Sequence, residues 1–353
     1  MLQRIGVITA LVLGLALAAS PGQVGNHVLD ILNPSTSYNR EVGYLLRWVL
    51  AFAAVVFVVV TGLMTYVTLK FRRTGRETGE PVQFHGNDRI EVLSIIIPTL
   101  IVFIIFGLTA QSMFKLDRIP PGAMTVEVKG WRYWWDYHYP EQGIRNSSEL
   151  IVPVGKPLVL EVTGGDVIHS YRITSLVGTQ DAIPGFTTRI IVTPEKVGDY
   201  YGQCVELCGA SHANMRFRVK VVPQETFDRF VQEAKAYQAP PPSDPTLAKG
   251  ESLFKANCAG CHALKGVSPV NPATLQNPDL TFFGNRTTLG SGMWPNTPQY
   301  LEAWIKDAPG LKPGIRMPAF PQLSSADVKA IADYLLSHKL EGLDFNFPES
   351  QRY

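Results

Sequence analysis

Two uninterrupted apolar runs, residues 48–69 and 92–113, constrain this 353-residue chain more than any other feature of it. Each is about as long as the roughly 20 residues a helix needs to cross a hydrocarbon core, and neither contains a charge. A hairpin buried in a soluble core is the competing reading, and uncharged runs of this length argue against it. A two-helix transmembrane hairpin in a lipid bilayer is therefore expected within residues 21–117. Between the runs lies Lys70-Phe71-Arg72-Arg73-Thr74-Gly75-Arg76. Short cation-rich loops of this kind stay in the cytoplasm, which puts everything after residue 114 on the outer face. Residues 1–20 carry Arg4, an apolar run and then small side chains, the pattern of a cleavable secretory signal. A retained anchor is the alternative, but the run is short for a span.

A chain of this length holds two or three domains. From Met124 to Val222, β-rich runs at 124–129, 149–162, 167–173, 187–192 and 215–222 alternate with Gly and Pro punctuation. That is the pattern of an antiparallel sandwich or barrel of about one hundred residues. A helical segment at 224–237 closes this second domain, taken as 118–238. Ala239-Pro240-Pro241-Pro242-Ser243-Asp244-Pro245 then reads as an extended, semi-rigid linker at 239–245. Beyond it, 246–257 and 324–338 have helical character, the latter with Val328, Ile331, Leu335 and Leu336 on one face. The last domain, 246–353, should be small and all-α.

The net charge of +2 removes any bulk electrostatic case for nucleic-acid binding. All four cysteines fall in two motifs. Cys204-Val-Glu-Leu-Cys208, with His212 and Met215 after it and an isolated His169 before it, gathers thiolates, imidazoles and a thioether. Soft sulfur with imidazole suits copper, with Met as the customary weak ligand of an electron-transfer site. Two alternatives stand beside copper: a structural zinc site, which would have no use for Met215, and a Cys204–Cys208 disulfide. The second motif, Cys258-Ala-Gly-Cys261-His262, reads as covalent attachment of heme c, with thioethers at Cys258 and Cys261 and His262 as proximal iron ligand. A Met should complete the iron on the opposite face; Met317 and Met293 are the candidates. His27, His85, His138 and His338 have no ligand partners at useful spacing and should lie on the surface or in packing.

Residues 42–222, with Gly-Gln-Cys-Val-Glu-Leu-Cys-Gly-Ala-Ser-His-Ala-Asn-Met at 202–215, resemble subunit II of cytochrome c oxidase. The resemblance implies a cupredoxin-like Greek-key sandwich holding a dinuclear copper centre, CuA. In it Cys204 and Cys208 would bridge two coppers, and His169 and His212 would bind one each. Met215 would be a weak ligand, and Glu206 would contribute its backbone carbonyl. It also implies that the Glu206 side chain helps hold a magnesium shared with the catalytic subunit. The run Trp131-Arg132-Tyr133-Trp134-Trp135-Asp136-Tyr137 is similar to that family's electron-input patch, which makes Tyr133, Trp134 and Trp135 candidates for passing electrons. Aligned on Gly130, Tyr133 stands where the family more often has Trp. Aromatic core packing is the plainer account of many of these rings. Glu91 matches a position that feeds a proton pathway of the catalytic subunit, though a Glu at a membrane boundary is also an ordinary solvated flank.

Residues 246–340 resemble small class I cytochromes c, and the Met-Pro context of Met317 before a final helix favours it over Met293. From residue 239 onward ten Lys and Arg balance ten Asp and Glu, so steering by net charge is absent. A tether would replace it, through an effective concentration on the order of millimolar. Together the resemblances imply the electron-input subunit of a caa-type heme-copper oxidase in a bacterial plasma membrane. Its partners would be the heme-copper catalytic subunit, further oxidase subunits, and an external donor such as a cytochrome c or a quinol-oxidising complex. Oxygen reduction would belong to the catalytic partner. A subunit of a nitric oxide reductase and a copper-delivery protein are the rival readings.

Overall fold

The computed structural model describes residues 34–73, 75, 86–173, 175–274 and 276–353. The expected signal at 1–20, Thr74 and Arg76 of the cationic loop, His27 and His85 lie outside the described residues. Two helices, α1 (Ser37–Lys70) and α2 (Asp88–Leu116), pack side by side. They run 34 and 29 residues, longer at both ends than the apolar runs, because Thr36 and Asn87 cap their N-termini with side-chain oxygens. Their lengths, about 51 and 44 Å at 1.5 Å per residue, exceed a hydrocarbon core of about 30 Å, so turns of each helix extend beyond it. Their middles expose apolar side chains such as Phe57 and Phe103, which suits lipid rather than water.

The N-terminal end of α1 is fixed to the β domain. Thr36 Oγ1 donates to the Leu176 carbonyl at 2.7 Å, and Asn39 Nδ2 donates to that of Ser175 at 2.9 Å. Ser112, in the last turns of α2, donates to Glu41 in the first turns of α1. The N-terminal end of α1 and the C-terminal end of α2 therefore lie together at the end of the hairpin that meets the sandwich.

The β domain is a sandwich of two five-stranded sheets. In chain order its strands are β1 (Met124–Trp131), β2 (Trp134–Tyr139), β3 (Ile144–Ser147), β4 (Glu149–Pro153) and β5 (Leu158–Gly164). They continue with β6 (His169–Ile173), β7 (Val177–Ala182), β8 (Thr188–Val192), β9 (Gly198–Cys204) and β10 (Arg216–Val222). One sheet has the order β3-β2-β1-β5-β8, the other β4-β10-β9-β6-β7. The single run expected at 149–162 is two strands in different sheets, since Pro157 removes a donor and the chain turns there. Strands β2, β3, β7 and β9 were not expected. β7 and β9 hold Gly, Gln, Asp and Cys, and β2 lies inside the aromatic run, so none shows clean alternation.

Helix α3 (Gln224–Ala236) lies on the sandwich through Phe227 and Phe230. The C-terminal domain contains α4 (Pro245–Asn257), α5 (Pro298–Leu311) and α6 (Ser325–Ser337), with Phe254, Leu301, Ile331 and Leu335 in its core. Ser324 and Asp327 close a reciprocal capping box on α6. The expected all-α character holds apart from a two-residue ladder, Thr288–Leu289 with Trp294–Pro295.

Candidate metal centre and heme cavity

Strand ends gather the sulfur and nitrogen donors. His169 opens β6 and Cys204 closes its neighbour β9, with Tyr171 opposite Cys204 in the ladder. The chain then turns through Cys208 and a short helical turn, His212–Asn214, before Met215 leads into β10. Cys204 N donates to the Met215 carbonyl at 2.9 Å, which pins the two ends of that loop together.

The donors converge. Cys204 Sγ lies 3.9 Å from Cys208 Sγ, 3.9 Å from His169 Nδ1 and 3.3 Å from the Glu206 carbonyl oxygen. Cys208 Sγ lies 3.7 Å from His212 Nδ1 and 3.9 Å from Met215 Sδ. Donor atoms of His169, Cys204 and Cys208 all lie within 4.8 Å of one another, and the three residues are buried. Both thiols are free, so no disulfide joins them. The hydrogen bond with Cys208 holds the Cys204 thiol far below the ordinary thiol range, while the same partner and then burial push Cys208 up. One thiolate thus forms readily at neutral pH, and a metal ligand requires a thiolate. Two soft sulfurs with two imidazoles and a thioether suit copper and leave the thioether unexplained for zinc. The side chain of Glu206 is exposed beside the site, as is Leu207.

Beneath the donors lies an aromatic floor. Trp135, fully buried, packs edge-on against His169, Tyr171 and Phe217, and Tyr171 stacks on Phe217 with centroids 4.3 Å apart. His169 Nε2 is 2.9 Å from Asp166 Oδ1. Asp166 also accepts from the Arg132 backbone and guanidinium, each at 3.1 Å. Sequence reasoning passed over Asp166, which belongs to no motif; its position three residues before His169 was the available signal.

The second site is a cavity lined by Cys258, Cys261, His262 and Met317 among apolar side chains. Cys258 caps α4 and accepts on its carbonyl from the amides of Cys261 and His262, a turn that puts both sulfurs beside the imidazole. His262 Nδ1 lies 2.9 Å from the Pro278 carbonyl, an acceptor, so Nδ1 carries the proton and Nε2 is left as the ligand atom. Burial holds its pKa below the ordinary value, which keeps the imidazole neutral. The Nε of Arg286, also on the cavity wall, is buried without a hydrogen-bond partner. These residues fit an acidic porphyrin: thiols for attachment, a free imidazole nitrogen, and a cation awaiting a carboxylate. The lining includes Met317 and not Met293.

Of the aromatic run, Tyr133 and Trp134 line this cavity, whereas Trp135 belongs to the floor of the donor cluster. All three are buried, at 5 %, 7 % and 0 % exposure, Tyr133 and Trp134 against the chain's own C-terminal domain. Glu91 lies exposed in the first turn of α2. His138 is half-buried and paired with Glu127, and His338 is buried against the Tyr237 hydroxyl, both away from the sites.

A helical hairpin, a β-sandwich with a sulfur-imidazole cluster and a helical CxxCH domain define a membrane-anchored redox protein with an outer-face domain and two cofactor sites. Residues 26–111 match the family described as cytochrome c oxidase subunit II, transmembrane domain, and residues 142–222 the periplasmic domain of the same subunit. Residues 245–335 match cytochrome c oxidase, cbb3-type, subunit III. The chain is 33% identical over 294 residues to cytochrome c oxidase subunit 2 of Alkalihalophilus pseudofirmus, covering 81% of this chain and 84% of that protein. It is 35% identical over 297 residues to the subunit 2 of Bacillus subtilis, covering 78% and 82%. Among solved structures it is similar to the periplasmic domain of subunit II (CoxB) of Bradyrhizobium japonicum, at 32% identity and a TM-score of 0.33, covering 34% of this chain and 98% of that one. The chain belongs to the cytochrome c oxidase subunit 2 family, and carries a C-terminal cytochrome c domain.

Proposed function

We propose that this chain is the electron-input subunit of a caa-type oxidase, spanning the membrane twice and holding both redox sites on the outer face. Copper at the first site and heme c at the second would supply reversible one-electron chemistry at potentials the protein can tune. The observation that carries this reading is the place of Tyr133. Its hydroxyl lies so close to Gly209, next to Cys208, that a Cβ there would meet it at 2.4 Å, and the same residue lines the heme cavity.

Each remaining residue has a role in this reading. Cys204, Cys208, His169, His212 and Met215, with the Glu206 carbonyl, would hold the two coppers in a rigid strand-end frame. A frame drawn from β6, β9 and the loop before β10 resists rearrangement on changing oxidation state. Cys258 and Cys261 would anchor the heme, with His262 and Met317 on the iron. Tyr133 and Trp134 would fill the space between the sites and exclude water from it. The exposed Glu206 carboxylate would face the heme-copper catalytic subunit and share a magnesium with it, and Glu91 would deliver protons to that partner. An external cytochrome c or quinol-oxidising complex would reduce the C-terminal domain.

Rapid mixing of the purified oxidase with a one-electron donor, followed at heme and copper absorption bands, tests this directly. Heme reduction should precede copper reduction, with oxygen consumed only when the catalytic subunit is present. Copper that exchanges with chelators and never accepts an electron from the heme would favour a delivery protein instead. A co-purifying nitric oxide reductase would assign the subunit to that enzyme.

A further inference from the structure

We propose that the heme domain is permanently seated on the copper domain, pinned by Glu149 and Lys312 and strapped by the C-terminal tail. The two redox sites then form one fixed unit rather than two bodies joined by a tether. A semi-rigid linker at 239–245 would by itself only tether the two domains, and the contacts on both sides of it do more.

Glu149, 1 % exposed on β4, is the first pin. Its Oε1 accepts four hydrogen bonds from the other domain, from the backbone N and hydroxyl of Thr287 and of Thr288, at 2.8 to 2.9 Å. A buried carboxylate is costly unless so satisfied, and these partners lie nearly 140 residues away in sequence. Lys312 is the second pin. Its ammonium, 2 % exposed, bridges the Tyr133 carbonyl of the copper domain and the Gly290 carbonyl of its own, each at 2.8 Å.

Around these pins the two surfaces meet closely. Ser291 exchanges hydrogen bonds with the Arg216 backbone, and Ser211 donates to the Pro313 carbonyl at 2.6 Å. A Cβ on Gly314, three residues before Met317, would sit 3.2 Å from Ala210 and from the Tyr133 hydroxyl. The copper domain also closes one wall of the heme cavity with Arg132, Tyr133, Trp134 and Ser148.

The tail then returns to the sandwich. Leu340, Leu343 and Phe345 are buried in the sandwich's own core cluster, Phe345 edge-on to Phe230. The chain ends by pairing with β9: Tyr353 N donates to the Asp199 carbonyl, Tyr201 N donates to that of Tyr353, and the Tyr353 ring stacks on Tyr200. Buried polar pins, glycine-close loops and a buried apolar strap together hold the heme domain against sliding.

The test uses the assembled oxidase. Amide exchange followed by mass spectrometry should show Thr287, Thr288 and Tyr201 protected like core strands. Ending the chain before Leu340, or introducing Glu149→Gln, should raise exchange at Thr287 and Thr288 by at least about tenfold. Exchange at those amides in the unaltered protein as fast as in free loops overturns the proposal, and does so whatever the sites carry. The second measurement rests on the electron-input reading. Heme-to-copper transfer in the unaltered oxidase should be unchanged when glycerol raises the viscosity, and should become viscosity-dependent in either variant. A rate in the unaltered oxidase that falls in proportion to viscosity overturns the fixed dock. Protected amides with no transfer at all would sink the electron-input reading while leaving the dock intact.

Discussion

Asp166 holds His169: its Oδ1 lies 2.9 Å from the imidazole Nε2, which leaves Nδ1 turned toward Cys204. The carboxylate is in turn held by Arg132. Burial works to raise its pKa, but the hydrogen bonds from His169, the Val167 amide and Arg132 outweigh burial and keep it ionised at neutral pH. A carboxylate behind a metal-binding imidazole fixes its tautomer and raises its basicity.

Asp166→Asn should therefore weaken copper binding about 10- to 100-fold, the range found when such supporting partners are removed. Competition against a chelator of known affinity measures it. The heme spectrum should not change, since Asp166 does not line that cavity.

Met317→Leu should lower the heme reduction potential by on the order of 100 mV, because a thioether ligand raises it and axial ligands command a span of about 0.8 V. Met293→Leu should leave it where it was. Redox titration of the two variants side by side decides between the methionines.

Burial lowers the pKa of His338 to about 4, below the 6.5 of an unfolded histidine. The unfolded chain then takes up a proton that the folded chain refuses. Stability from this residue is fully present above about pH 6.5 and is lost as the pH falls toward 4. Thermal unfolding of the C-terminal domain should drop over that window, and His338→Gln should flatten the dependence.

Phe217 is fully buried between Trp135 and Tyr171. Phe217→Ala should destabilise the sandwich by about 3–5 kcal/mol through lost burial and an unfilled cavity. Denaturant unfolding of the β domain, followed by Trp fluorescence, would measure it. Copper should be lost along with it, because the same rings floor the donor cluster.

The membrane helices and both cofactor motifs were legible because each is local. An apolar run declares its length, CxxCH declares a turn, and four of the sulfur and imidazole donors lie within twelve residues of one another. Strands β2, β7 and β9 were hidden because strand formation there depends on neighbours in the sheet rather than on alternation in the run. The aromatic run read as a path for electrons toward the copper site, but its spacing does not say which rings lie where; in the fold Tyr133 and Trp134 line the heme cavity, while Trp135 floors the donor cluster.

The amino-acid sequence by itself determined the two spans, the donor types at each site and the small heme-attachment motif, since these follow from composition and spacing over a few turns of chain. Only the tertiary structure decided that His169 meets Cys204, that Asp166 stands behind it, and that Glu149 and Lys312 bind the domains together. Apart from Asp166 and His169, those relationships join residues 35 to 179 positions apart. Nothing short of packing two sheets and docking a second domain brings such groups within hydrogen-bonding range, because the gain from each contact appears only after the loops between them have closed.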